Sequence, residues 1–180
     1  MPYLWMTFCL VCATVTELSL GRLGLIVPFT SLCGFYFAVA FDGKRSALPL
    51  LAALVAVDLG FARPFPIHLL CLPGILLLAH YWRLHGSVRF AWLQAVPGVI
   101  LGTQAALFEY IHTVLRCIGK DLRMVPPPLL FLLTPVFFSF LLTPALVSIA
   151  DALATLLGIR RYASAIRLTH VQTLSEENNG

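Results

Sequence analysis

Three carboxylates in this 180-residue sequence stand inside long apolar stretches, each towards the carboxyl-terminal end of its stretch: Glu17, Asp58 and Glu109. Arg22, Arg63, His68, His112 and Arg116 fall at a similar level. Ionisable groups in such surroundings are costly and turn inward, onto one another or onto a ligand, so the set predicts a polar cluster contributed by several helices. Two arrangements are compatible with the spacing. Either Glu17 with Arg22, Asp58 with Arg63 and Glu109 with Arg116 form local pairs near an interface, or the residues converge into a contact site for a partner or ligand.

Other patterns carry less chemistry. Glu109-Tyr-Ile-His112 puts a carboxylate and an imidazole on adjacent turns of one helix face, as carboxylate-bridged di-metal sites require. Such sites need two of these motifs, and the sequence has one and no HExxH, so no metal is expected. Cys9 and Cys12 form a CxxC with no second pair, and with Cys33, Cys71 and Cys117 they read as small core residues. There is no GxSxG, the serines within apolar stretches (Ser31, Ser139, Ser148) have no His or Lys at an activating spacing, and no phosphate cradle of the GxxxxGK[ST] type occurs. No catalytic residue and no cofactor are therefore expected, and the reading is non-enzymatic. Asp151 reads as an interfacial partner for Arg160 or Arg161.

The elements that must position these residues follow from composition. Apolar residues make up 59% of the chain, against 12 Lys or Arg and 8 Asp or Glu. Globular domains carry roughly 25% charged residues, so the expected solvent is a bilayer. Apolar segments run over 3–20, 25–41, 47–61, 67–82, 90–115 and 129–157. At about 20 residues per span, they predict an all-α membrane protein, a six-helix transmembrane bundle over residues 1–159 followed by a polar cytoplasmic tail over 160–180. The third and fourth segments are short. The sixth contains Pro135 and Pro144, which favour one kinked span or, alternatively, two half-helices. The first segment has no basic flank and too long an apolar core for a signal peptide, so it is expected to remain as a span.

Counting Lys and Arg on alternate sides places Lys44, Arg45, Arg83, Arg89, Arg160, Arg161 and Arg167 with the termini, and Arg22, Arg63, Arg116, Lys120 and Arg123 opposite. Seven against five favours cytoplasmic termini. Trp5, Trp82 and Trp92 fall near helix ends on the terminal side, where aromatic belts form. Membrane lipids are thus expected neighbours, and no run of like charge suggests nucleic acid. Two stripes of small residues, Ala52, Ala56 and Gly60, and Gly98, Gly102 and Ala106, recur every four positions and allow close helix seams. Gln94 and Gln104 could add hydrogen bonds across them.

Residues 27–70, VPFTSLCGFYFAVAFDGKRSALPLLAALVAVDLGFARPFPIHLL, show a proline opening the second helix, a short polar turn, a helix ending in an Asp, and a Pro-containing loop. This layout resembles the rod shape-determining protein MreD family, six-span bacterial inner-membrane proteins of about this length. By that resemblance Asp58 matches the acidic residue ending helix three, and Pro64 or Pro66 the proline of the following loop. The family often has an Asp after the helix-two proline, where this chain has Phe29, and a Gly in the loop after helix three, where it has prolines and Ile67.

The resemblance implies a non-enzymatic component of the cell-elongation (peptidoglycan synthesis) machinery. Its partners would be an MreC-like single-span protein, MreB, RodA and a penicillin-binding transpeptidase. The partner-binding or structural cluster would comprise Glu17, Asp58, Arg63, Pro64, Pro66, His68, Glu109 and His112. The family is also similar in fold to the substrate-binding components of energy-coupling-factor transporters, so binding of a small vitamin-type molecule is the alternative.

Overall fold

The computed structural model describes residues 2–63, 66–86, 91–117, 127–159 and 161–166. They are helical throughout apart from short connections, and no strand occurs among them. Six long helices follow in order: α1 (Pro2–Arg22), α2 (Phe29–Phe41), α3 (Gly43–Gly60), α4 (Ile67–His85), α5 (Ala91–Cys117) and α6 (Pro128–Leu156). A short α7 covers 162–166. Three of them are long and apolar enough to cross a membrane, over Tyr3–Arg22, Ile67–His85 and Phe131–Leu156. α2 is apolar but short, while α3 and α5 carry more polar side chains, Lys44, Arg45 and Asp58 on one and Gln94, Gln104 and Glu109 on the other.

α2 is the centre of the bundle and touches each of the other five long helices. Every residue from Thr30 to Ala40 is buried, as expected of a helix that is apolar on all sides. The sequence pattern starts it at Leu25, four residues earlier than the structure does. Pro28 accounts for the difference: it disfavours helical geometry at Val27 and leads directly into the first turn. Thirteen residues rise only about 20 Å, less than the roughly 30 Å of a hydrocarbon core. α1 ends differently, at Gly24 in a left-handed conformation (φ 80°), with the Leu25 amide bonded back to the Leu20 carbonyl.

The two small-residue stripes meet different fates. Gly98 and Gly102 of α5 lie against α6, where a β-carbon on Gly98 would strike the Thr143 side chain and the Ser139 carbonyl oxygen at 2.5 Å. This is the most extensive helix pairing of the fold. Ala52 and Ala56 of α3 are exposed along an open groove beside α1, and Gly60 meets Leu18 of α1. α6 is one continuous helix through Pro135 and Pro144, so the half-helix alternative does not apply. The hydroxyls of Thr143 and Ser148 donate to the Ser139 and Pro144 carbonyls beside the second proline. Gln104 donates to the Cys71 carbonyl at 3.4 Å, joining α5 to α4.

At the opposite end from the acidic cluster, Asp151 is not held by an arginine among the described residues. Its carboxylate accepts from the Tyr36 hydroxyl at 2.7 Å and from the Tyr162 and Ala163 amides at 2.8 and 3.3 Å. It caps α7, which the polarity of the region beyond residue 160 had hidden. Tyr162, Ala165 and Ile166 are buried, and Tyr162 stacks on Tyr36. Burial pushes the Tyr162 hydroxyl above its usual titration range, so it stays neutral. Trp82 also belongs to this core rather than to a lipid-facing belt, whereas Trp92 is exposed. Asp151→Ala orphans two amides and a hydroxyl and should weaken docking of α7 by about 1–3 kcal/mol. Hydrogen exchange should then accelerate over 161–166 with α2 unchanged; equal protection in the variant would show that packing alone holds the segment.

Candidate functional site

The carboxyl-terminal ends of α1, α3 and α5 meet the amino-terminal ends of α2 and α4 at one end of the bundle. α2 and α4 each begin after a proline, Pro28 and Pro66, with no side-chain cap of their own. Their first amides still need acceptors. Glu17 on α1 supplies one, its Oε2 accepting from the Thr30 amide at 2.8 Å. Asp58 on α3 supplies the other, accepting from the His68 amide at 3.0 Å and the Leu69 amide at 3.4 Å. Each acid thus caps the next helix in the chain, where the helix dipole favours negative charge.

The same two acids hold the His68 ring between them. Nδ1 lies 2.9 Å from Asp58 Oδ1, and Nε2 lies 3.2 Å from Glu17 Oε1. Arg63 completes the group. Ala62 adopts a left-handed conformation (φ 49°), and the Arg63 amide bonds back to the Asp58 carbonyl at 3.1 Å, folding the chain over the end of α3. That conformation costs a non-glycine residue about 1–2 kcal/mol. The guanidinium then pairs with Asp58 at 3.4 Å and with Glu109 of α5. It also lies 4.7 Å from the centre of the Phe61 ring, which in turn stacks on His68. Nη1 of Arg63 is 2.6 Å from His68 Nδ1, so the tautomer selects the partner. With a proton on Nδ1 the ring donates to Asp58; without one it accepts from Arg63.

Glu17, Asp58, His68 and Glu109 are all buried. The structure therefore brings together five of the eight expected cluster residues: these four and Arg63. Asp58–Arg63 is the one local pair of the three anticipated that the structure contains among the described residues; Glu17 reaches α2 and α4, and Glu109 reaches Arg63 in the connection between α3 and α4. His112 is one turn beyond Glu109, with its Nε2 buried and without a hydrogen bond among the described residues. Pro66 acts as the residue that starts α4, and Pro64 lies outside the described residues. Thr30 is a member of the network that sequence reasoning missed. Its contribution is a backbone amide, and only its position two residues after Pro28 signals it. Among the described residues no three His, Cys, Asp or Glu side chains are grouped to hold a metal ion.

A cleft of about 300 Å³ opens beside the cluster, lined by Glu17, Arg63, His68 and Glu109 and by apolar residues including Val27 and Phe131. One wall is the connection between α1 and α2, residues 24–27. No protein-family model, curated protein or solved structure matches the chain. The geometry of this cluster and cleft is what bears on function.

Proposed function

We propose that the chain is a non-enzymatic, multi-pass component of the bacterial cell-elongation complex, spanning the inner membrane with its six long helices and keeping both termini in the cytoplasm. It acts by binding an MreC-like single-span protein and, with it, the cell-wall machinery of MreB, RodA and a penicillin-binding transpeptidase. The observation that carries this reading is the way the buried charges are used. Two of the three acids cap neighbouring helices and all three pair with Arg63 or His68, which fixes one end of the bundle as a shaped, rigid surface. A fixed surface suits a protein that holds other subunits. The layout of residues 27–70 that resembles the MreD family points the same way.

The deciding experiment is affinity purification of the tagged chain from its native membrane in mild detergent, with mass spectrometry of what accompanies it. An MreC-like protein recovered with cell-wall synthases is the expected result. Paired ATPases with a membrane coupling subunit would instead make the chain the binding component of a transporter. Function of the cluster is tested in cells: Asp58→Asn, Glu109→Gln and the double variant, at native expression, should lose rod shape. Normal rods from all three at normal protein levels would separate the cluster from the role.

A further inference from the structure

α1 and α3 lie side by side and run in the same direction. Their carboxyl-terminal ends touch, Gly60 against Leu18 and Gly21 against the Phe61 ring. Before that point a groove of about 450 Å³ separates them, bounded by Val11 and Val15 of α1 and by Leu48, Ala52 and Ala56 of α3. Its lining is apolar apart from Thr7 and Thr14, and no charged side chain lies on it. A smaller hollow lined by Tyr3, Met6, Phe41 and Arg45 continues the same seam, since Tyr3 and Arg45 stand one helical turn before Thr7 and Pro49.

Length and charge select what fills the groove. The 11 positions from Arg45 to Ala56 rise about 16 Å, close to half of the roughly 30 Å hydrocarbon core. That matches an acyl chain of one leaflet. A partner's spanning helix is about twice as long and would leave half its length unseated, because the seam closes at Gly60 and Leu18. At the open end stand Arg45 and, next to it in the chain, Lys44, both exposed. The carboxylates described at this end of the bundle are engaged elsewhere: Asp42 pairs with Arg83 at 2.8 Å, and Asp151 caps α7. Among the described residues neither Lys44 nor Arg45 has an ion pair. Tyr3, exposed beside Arg45, is a residue type that favours the headgroup level. The apolar groove on the other side of α1, between Phe8, Cys12 and Leu146, has no basic side chain on its wall.

We propose that the α1–α3 groove binds one anionic phospholipid, its phosphate against Arg45 and Lys44 and one acyl chain laid along Ala52 and Ala56. Basic residues beside a membrane-embedded helix attract anionic headgroups. The chain is held by close packing alone, because bulk lipid is as apolar as the groove, so the choice among lipids falls to the headgroup. A zwitterionic headgroup adds a cation that the two bases disfavour. The site depends on the membrane setting and is independent of the assembly role.

The test is native mass spectrometry of the full chain, delipidated in detergent and titrated with phosphatidylglycerol and phosphatidylcholine of the same acyl composition. One phosphatidylglycerol per chain, bound about tenfold or more tightly than phosphatidylcholine, is expected from two bases at the headgroup. Lys44→Gln with Arg45→Gln should abolish that preference. Ala52→Leu, which narrows the groove, should weaken both lipids alike. All three side chains are exposed, so the variants keep the fold. Glycerol phosphate, which has the headgroup charge and no chain, should not bind. Equal affinity for the two lipids, a preference that survives loss of both bases, indifference to Ala52→Leu, or saturable binding of glycerol phosphate overturns the proposal. So does a dimer that Ala52→Leu dissolves, or partner recovery that Ala52→Leu abolishes while the lipid stays bound, since either gives the groove to a protein.

Discussion

Asp58→Asn is expected to destabilise the folded bundle by about 3–5 kcal/mol, the range for breaking a buried ion pair from one side. Asp58 is 3% exposed. Its two oxygens serve the His68 amide and ring, the Leu69 amide and the Arg63 guanidinium. Asparagine keeps the shape but replaces one acceptor by an NH2 group that must face donors. It also leaves Arg63 with Glu109 alone. Unfolding in mixed micelles by titration with SDS reads the loss. Asp58→Asn with Arg63→Met should recover part of it, since contacting residues of one network are not additive. A loss under about 1 kcal/mol would mean that water reaches the cluster and screens it.

Gly98→Ala should also be strongly destabilising, by about 1–3 kcal/mol for an overpacked core site, despite alanine's better helix propensity. The new methyl group meets both the Thr143 side chain and the Ser139 carbonyl. Thr143→Ala added to it should restore only part of the loss, because the carbonyl stays. Ala52→Leu, at the equivalent place in the other stripe, faces an open groove and should change stability by less than about 0.5 kcal/mol. The same SDS titration compares them. Equal costs at the two positions would show that the α5–α6 seam opens to admit the methyl group.

The contrast between those stripes marks what was legible in the sequence. Apolar runs and prolines gave the six helices to within a few residues, and counting from helix ends gave the shared depth of Glu17, Asp58, Arg63, His68 and Glu109. Depth runs along a helix axis and is set by residue number alone. Direction around the axis is not, because the stretches around Ala52 and Gly98 are apolar on all sides and have no polar face to mark their orientation. Hence Ala52 and Gly98 look alike in sequence while only Gly98 meets another helix. For the same reason the spacing left a local Glu17–Arg22 pair open beside a converging cluster, and the Glu17 carboxylate faces Thr30 and His68. Asp151 was read with Arg160 or Arg161 for a different cause: two of its three partners are backbone amides of a segment that reads as solvated tail.

Acids that cap the helix following their own have a consequence for how the protein is made. Glu17 has no partner on α1, and its first acceptor bond is to the Thr30 amide of α2. Asp58 is satisfied by α4 and by Arg63, which precedes it. During synthesis, a chain that has emerged through α3 therefore holds a carboxylate without its partners, and one that has emerged through α4 does not. In the proposed six-span arrangement, release from the insertion machinery would follow α2 and α4, so that α1 would enter the lipid with α2, and α3 with α4.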